Sequence, residues 1–190
     1  MKPSDQHHQI LIISGPVHGG KTTFVNGLAA VLKDHGTDLD GFICKGRFTG
    51  GERSAFTLVD LDDGSEIAFA TIIKMPGWER FRRFYINPEA LVKGEQIIRR
   101  AIRKGVKVLV VDEVGPLELE GGGWSGILEV LAGERSLMQI WVARQQIVES
   151  LKQKWNIPEE NVFRLERGGE EKLTEAIRRR LDTSEKGIWE

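Results

Sequence analysis

The stretch ILIISGPVHGGKTTF at residues 10–24 decides the fold. Its first four residues are all apolar, which predicts a strand buried on both faces, and Ser14-Gly15 ends that strand. A helical periodicity then begins at Lys21 and stops at His35-Gly36. Its apolar positions are Phe24, Leu28, Val31 and Leu32. The stretch therefore predicts a strand, a glycine-rich loop and a helix in direct succession.

The loop between this strand and helix matches the pattern G-x-x-x-x-G-K-[ST]. Its glycines let successive backbone N–H groups converge on phosphate oxygens, and the helix adds the positive end of its dipole. We expect Lys21 to reach the β- and γ-phosphates of a nucleotide, and the Thr22 hydroxyl to bind Mg²⁺. The residues predicted to hold the nucleotide here are Gly15, Pro16, Val17, His18, Gly19, Gly20, Lys21, Thr22 and Thr23.

A second motif, VLVVDEVGPLEL, occupies residues 108–119. An apolar strand that ends in Asp112 is what a phosphate loop requires, since the carboxylate can hold the magnesium shell beside Thr22. The adjacent Glu113 can orient and deprotonate a water aimed at the γ-phosphate, so the acid pair favours hydrolysis over binding alone. Asp112 and Gly115 also match the D-x-x-G of G proteins, but an Asn-Lys-x-Asp element for guanine does not occur. A dedicated guanine switch is therefore disfavoured.

The remaining pattern alternates strands with helices. Residues 39–45 and 137–143 read as strands, residues 88–104 as a helix, and an Asp-Gly pair at 63–64 as a hairpin turn between two strands. Residues 74–88 read as a loop or lid. We predict an α/β three-layer sandwich with a mixed, mostly parallel sheet and an inserted antiparallel hairpin. One domain is expected over residues 1–190, with residues 1–8 as a flexible tail.

The two motifs together resemble a known family. GPVHGGKTT and VDEVGPLEL are similar to the small P-loop nucleoside-triphosphatases of thermophiles and to the cancer-related nucleoside-triphosphatase of animals. The resemblance implies a P-loop NTPase fold and Mg²⁺-dependent hydrolysis of ATP, GTP and other triphosphates with little base selectivity. It also implies that Val111, Asp112, Glu113 and Gly115 contact the nucleotide, beside the glycine loop.

Hydrolysis further benefits from a cation near the γ-phosphate, supplied by the same chain or by a partner. Arg144 follows a predicted strand whose end should lie on the same rim as Asp112, so we assign it with Lys21 and Glu113 to the catalytic residues. Arg47, Arg53 and the segment RFRRF at residues 80–84 are alternative sources of that cation. The basic residues of the long helix, among them Arg100, are interpreted as its solvent-exposed face.

Composition limits the partners and the location. The formal net charge is −1, so we expect neither nucleic acid nor an anionic membrane as partner. The single cysteine, Cys44, suits a reducing compartment, and neither a signal peptide nor an apolar run long enough to span a bilayer is recognisable. We expect a cytoplasmic monomer whose partner is its nucleoside triphosphate substrate.

Two other functions fit the same motifs. In a phosphotransferase, Glu113 would deprotonate a substrate hydroxyl instead of water, and the RFRRF segment would close as a lid. A nucleotide-gated binding protein would hold nucleotide tightly and turn it over only when a partner supplies an arginine.

Overall fold

Nine strands form a single mixed sheet in a computed structural model that describes residues 9–186. The expectation for residues 1–8 lies outside the described residues. In chain order the strands are β1 (Ile10–Gly15), β2 (Leu39–Thr49), β3 (Glu52–Asp60), β4 (Glu66–Thr71), β5 (Glu79–Phe81), β6 (Phe84–Ile86), β7 (Val108–Val111), β8 (Met138–Arg144) and β9 (Val162–Arg164). Their order across the sheet is β5-β6-β4-β3-β2-β7-β8-β1-β9.

Helices cover both faces of this sheet. They are α1 (Lys21–Asp34), α2 (Pro88–Lys104), α3 (Pro116–Leu119), α4 (Ser125–Gly133), α5 (Val148–Trp155) and α6 (Glu170–Lys186). Apolar side chains of α1 and α6 pack on one face, and those of α2, α4 and α5 pack on the other, which gives two hydrophobic cores. The predicted three-layer α/β sandwich is confirmed.

The half of the sheet that contains β2, β7, β8, β1 and β9 is parallel. All six residues of β1 are buried, because β8 and β9 flank the strand and helices cover both of its faces. Parallel strands end at the same edge, so the ends of β1, β7 and β8 lie side by side. That edge carries the glycine loop, Asp112 and Arg144.

The other half of the sheet is antiparallel and larger than predicted. The hairpin of β3 and β4 is confirmed, with its turn at residues 61–65. The interpretation of residues 74–88 as a loop or lid is wrong in part, because β5 and β6 form a second hairpin that pairs with β4 at the edge of the sheet. Each of these strands has only three residues, too few for an alternating pattern to stand out.

Helix α2 shows the strongest local signals. Pro88 occupies its first turn, the Asn87 side chain accepts a hydrogen bond from the Glu89 N–H, and Gly105 ends the helix with a left-handed φ of 65°. Its boundaries are those predicted from the sequence. Of the described residues, none belongs to a helix long and apolar enough to cross a membrane.

The interpretation of Arg100 as part of an exposed helix face is wrong. Its guanidinium donates to Asp40 over 2.8 and 2.5 Å and to Asp60 over 2.9 and 2.7 Å, and both carboxylates are buried. Burial raises the pKa of Asp60, but hydrogen bonds from Arg100, Asp62 and Lys93 outweigh it and lower that pKa to about 2. The ion cluster fastens α2 to β2 and β3, the strands that lead to the site.

We expect Arg100→Met to lower the unfolding free energy by about 3–5 kcal/mol at neutral pH, because two buried carboxylates lose their shared partner. Arg99→Met is the matched control, since among the described residues Arg99 makes only an exposed pair with Glu95, worth below about 1 kcal/mol. Urea unfolding measures the free energy of unfolding of both variants.

The effect of Arg100 should also depend on pH. The folded pKa of Asp60 is depressed, so the stability this group supplies is present above pH 4 and lost as the pH falls towards 2. The difference in unfolding free energy between wild type and Arg100→Met should therefore become smaller over that range. Equal losses of unfolding free energy in Arg100→Met and Arg99→Met would contradict this account.

Candidate active site

The glycine loop joins the end of β1 to the start of α1. Gly20 precedes the helix with φ 77°, a left-handed conformation that glycine adopts without strain, and the Gly19 N–H donates to the Pro16 carbonyl over 3.1 Å. Lys21 Nζ donates back to the loop carbonyls of Gly15, over 3.1 Å, and Pro16, over 2.8 Å. Burial lowers the pKa of Lys21 against the opposing effect of Glu113 and Asp112. The ammonium therefore lies at the mouth of the loop.

Asp112 connects the loop to the sheet. Its buried carboxylate accepts hydrogen bonds from the Thr22 hydroxyl at 2.9 Å, from the Cys44 N–H at 2.9 Å and from the Glu113 N–H at 2.7 Å. Burial, with a smaller contribution from the neighbouring charge of Glu113, raises the pKa of Asp112 to about 7. A divalent cation beside this carboxylate would favour its ionised form.

The donor set fits Mg²⁺. Thr22 and Asp112 supply a hydroxyl and a carboxylate that already lie 2.9 Å apart, and Mg²⁺ prefers such oxygen ligands. Within the described residues no group of three or more His, Cys, Asp and Glu side chains is placed to hold a metal ion.

Glu113 occupies a strained position between two arginines. It is a non-glycine residue with φ 55°, an uncommon conformation that turns the chain sharply at the end of β7. Its Oε1 lies 3.1 Å from Arg53 Nη1, and its Oε2 lies 3.7 Å from Arg144 Nη2. The carboxylate is therefore aimed from the sheet edge towards the glycine loop and is held by a cation on each side.

Arg53, on β3, is the better fixed of these two arginines. Its guanidinium carbon lies 5.2 Å from the ring centre of Phe48 and 4.9 Å from that of Phe56, so two aromatic rings hold it. A Cβ added to Gly46 would meet Arg53 Nε at 2.8 Å, which explains the glycine at that position of β2. Arg53 Nε is buried and makes no hydrogen bond within the described part of the chain.

A cleft of about 460 Å³ opens above the loop. It brings together the predicted residues His18, Gly19, Gly20, Lys21, Thr22, Thr23 and Glu113. Gly15 and Asp112 lie buried directly beneath it, whereas Pro16 and Val17 are on the exposed outer side of the loop. Val111 is wholly buried in the core. Gly115 and Arg144 line a second, separate cavity, and Arg47 lies exposed outside both.

Five residues of this cleft are not among the sequence predictions: Asn26, Ile43, Lys45, Gly46 and Phe48. Asn26 lies on α1, one helical turn after Thr22, and could have been found from the helix periodicity. The other four lie on β2, and their place in the cleft depends on the pairing of β2 with β7. Arg53 was one of several alternatives, and the cleft contains it.

These features define a P-loop protein: a glycine loop between a buried strand and a helix, with acids at the end of a neighbouring strand. Comparison with known proteins then identifies the family. The model of the NTPase family matches residues 10–178, and the chain belongs to this family. The resemblance inferred from the two sequence motifs is confirmed.

Individual relatives agree. Nucleoside-triphosphatase THEP1 of Ignicoccus hospitalis is 32% identical over 143 residues, 75% of this chain and 80% of the relative. THEP1 of Archaeoglobus fulgidus is 29% identical over 172 residues, 90% and 97% of the two chains. The solution structure of a human cancer-related nucleoside triphosphatase superposes with a TM-score of 0.68 at 20% identity, covering 92% and 97%. The crystal structure of THEP1 from Aquifex aeolicus superposes with a TM-score of 0.67 at 18% identity, covering 88% and 96%, and both show the same fold.

We expect pH to affect stability through Glu118, in the first turn of α3. Burial raises the pKa of Glu118 to about 7, although the N–H groups of Gly115 and Trp124 donate to its carboxylate. Because the folded protein binds this proton more tightly than the unfolded chain, the unfolding free energy should fall as the pH rises from about 4.5 to 7. The group's contribution is on the order of 3 kcal/mol.

Glu118→Gln, which cannot ionise, should therefore gain stability relative to wild type across that pH range. Glu120→Gln is the control, since Glu120 is exposed two residues later. Thermal or urea unfolding at a series of pH values tests this. Parallel pH curves for Glu118→Gln and wild type would rule out the assignment.

Proposed function

We propose that this chain hydrolyses nucleoside triphosphates to diphosphates and phosphate in a Mg²⁺-dependent reaction with loose base selectivity. The observation that carries the proposal is the position of Glu113. Its carboxylate lies at the cleft above the glycine loop, next to the Asp112–Thr22 pair and in contact with the cation of Arg53. The names of the THEP1 relatives support the same activity.

In this mechanism the loop N–H groups and Lys21 hold the triphosphate. Thr22 and Asp112 would hold Mg²⁺, which when bound would supply positive charge to offset the negative charge of the phosphates. Glu113 accepts a proton from a water molecule as the oxygen of that water bonds to the γ-phosphorus. The bond from the γ-phosphorus to the β–γ bridging oxygen breaks at the same time. The diphosphate leaves with the bridging oxygen, and inorganic phosphate follows.

Arg53 is the cation that we assign to the γ-phosphate. It lines the nucleotide cleft and is fixed between Phe48 and Phe56, which suits electrostatic stabilisation by a preorganised group. Arg144 lies on the far side of Glu113 and contacts only that carboxylate's distant edge, at 3.7 Å. We therefore assign Arg144 to the positioning of Glu113.

The side chains at the mouth of the cleft support the proposed loose base selectivity. The rings of His18 and Phe48 lie there with their centres 5.2 Å apart, and both side chains are exposed. Stacking on such rings accepts any base, because every base has a π-face. Hydrolysis is favoured over the phosphotransferase, since the relatives are named triphosphatases. We further propose a monomer in the cytoplasm that binds neither nucleic acid nor membrane, in keeping with the net charge of −1 and the buried thiol of Cys44.

Glu113→Gln should reduce phosphate release from Mg-ATP, Mg-GTP, Mg-CTP and Mg-UTP by at least about 100-fold, because an amide cannot accept the proton of the attacking water. Nucleotide affinity, measured by calorimetry with a slowly hydrolysed analogue, should change little. Glu120→Gln is the control and should keep wild-type turnover. EDTA should abolish turnover in the wild type and in Glu120→Gln. Tight binding by the wild type with no phosphate release would overturn the proposal in favour of a phosphotransferase or a partner-gated switch.

Arg53→Ala should lower kcat by about 100-fold or more at similar nucleotide affinity, because the assigned cation acts mainly on transition-state charge. Arg53→Lys should recover only part of that loss, since an ammonium does not fill the planar slot between two rings. Arg47→Ala is the control, because Arg47 lies on β2, the strand paired with β3, and outside both cavities. Single-turnover phosphate release measures all three, together with Arg144→Ala. A larger loss in Arg144→Ala than in Arg53→Ala would reverse the two assignments.

A further inference from the structure

A second cavity of about 330 Å³ lies on the opposite side of Glu113 from the nucleotide cleft. Among residues 9–186, Glu113 alone lines both cavities. The floor of the second cavity is the sheet surface at Phe56, Phe69 and Ala70, and α3 forms one wall. Its size falls at the lower end of the range for small-molecule sites.

The lining differs in chemistry from that of the nucleotide cleft. Four phenylalanine rings dominate it: Phe56, Phe69, Phe81 and Phe84. The rings of Phe56 and Phe84 meet edge to face with their centres 5.4 Å apart, so these two lining rings pack directly against each other. Few polar groups among many apolar ones is the arrangement that binds a small molecule and fixes its orientation.

The charged side chains at the cavity favour an anion, because cations outnumber carboxylates. Those that line it are Arg82, Arg83, Arg144, Glu113 and Glu118. Arg82 pairs with Glu120 at 2.9 Å, and Arg83 pairs with Glu52 at 3.1 Å. Within the part of the chain that the structure describes, the nearest carboxylate oxygen to Arg144 is 3.7 Å away, beyond hydrogen-bond distance. The guanidinium of Arg144 therefore has donors to offer a ligand next to the aromatic surface.

The roof of the cavity is a small edge element, the hairpin of β5 and β6, with strands of three residues. The ion pair between Arg82 and Glu120 joins this hairpin to the end of α3, and both side chains are more than half exposed. Exposed pairs of this kind contribute about 1 kcal/mol or less, so this ion pair adds little resistance to the entry of a ligand.

We propose that this second cavity is a binding site for a small aromatic anion, whose occupancy affects hydrolysis through Glu113. The rings receive the apolar part of the ligand, and Arg144 and Arg82 receive its charge. An anion that draws Arg144 away from Glu113 removes one of the two cations that hold the carboxylate, so turnover falls while the nucleotide cleft remains free. Binding at this site is independent of the proposed hydrolysis and is measured both without and with nucleotide, whereas the effect on turnover rests on the proposed function.

The probe is 8-anilinonaphthalene-1-sulfonate, an aromatic anion that fluoresces when bound in an apolar site. We expect saturable one-to-one binding that persists with a saturating non-hydrolysable ATP analogue. N-phenyl-1-naphthylamine, the same fluorophore without the sulfonate, should bind at least about tenfold more weakly because it lacks the charge-assisted hydrogen bonds. These comparisons on the wild type need no variant. Displacement by the ATP analogue, or equal affinity for the two dyes, would overturn the proposal.

Ala70→Leu supplies the matched test, because its added carbons enter the cavity from β4. Ala68→Leu, two residues earlier on the same strand and exposed, is the control. Binding of the sulfonate should weaken at least tenfold in Ala70→Leu and stay within twofold in Ala68→Leu. At saturation the dye should lower kcat for Mg-ATP severalfold in wild type without raising KM. Loss of binding in both variants, retention in both, or unchanged kcat at saturation would contradict the proposal.

Discussion

The buried carboxylate of Asp112 is the constraint on which the site depends. Its three hydrogen bonds reach the first turn of α1, the middle of β2 and the backbone N–H of the next residue, Glu113. The Asp112 side chain thus fixes the glycine loop against the sheet. It also fixes the point at which the chain turns away from the sheet at Glu113. A carboxylate so far from water is costly to ionise, and its hydrogen bonds offset only part of that cost. The carboxylate to which we assign a metal therefore also joins the loop, the sheet and the turn at Glu113.

The antiparallel half of the sheet adds a second wall to this arrangement. A glycine loop and an acidic strand end are enough to bind phosphate, but Arg53 comes from β3, and Phe48 from the end of β2. The ion cluster of Arg100 with Asp40 and Asp60 holds the same two strands against α2. The antiparallel half of the sheet thereby places the cation of Arg53 opposite the glycine loop, so that a partner protein is not needed to supply one. It also creates the aromatic cavity behind Glu113, so the same strands serve both sides of that residue.

Local signals predicted the fold well. The glycine loop, the Asp-Gly turn of the β3–β4 hairpin and the cap residues of α2 each act within a few positions, so a single stretch contains the whole signal. Arg100 was misread because its partners lie 60 and 40 residues away and are brought together only by strand pairing. The same holds for the arginines of the site. Arg144 does lie on the expected edge of the sheet. The turn at Glu113 decides which arginine faces the nucleotide cleft, and no sequence pattern predicts that this glutamate has a positive φ.

The thiol of Cys44 gives the site a built-in chemical reporter. The residue is fully buried, its N–H bonds Asp112, and burial raises the pKa of its thiol, so in the closed protein an alkylating reagent meets neither an exposed nor an ionised sulfur. Labelling must wait for a local opening that separates β2 from Asp112. Because Cys44 is the single cysteine of the chain, the rate of that labelling counts such openings directly. A ligand that tightens the junction at Asp112 would slow the reaction by the same factor by which it suppresses the opening.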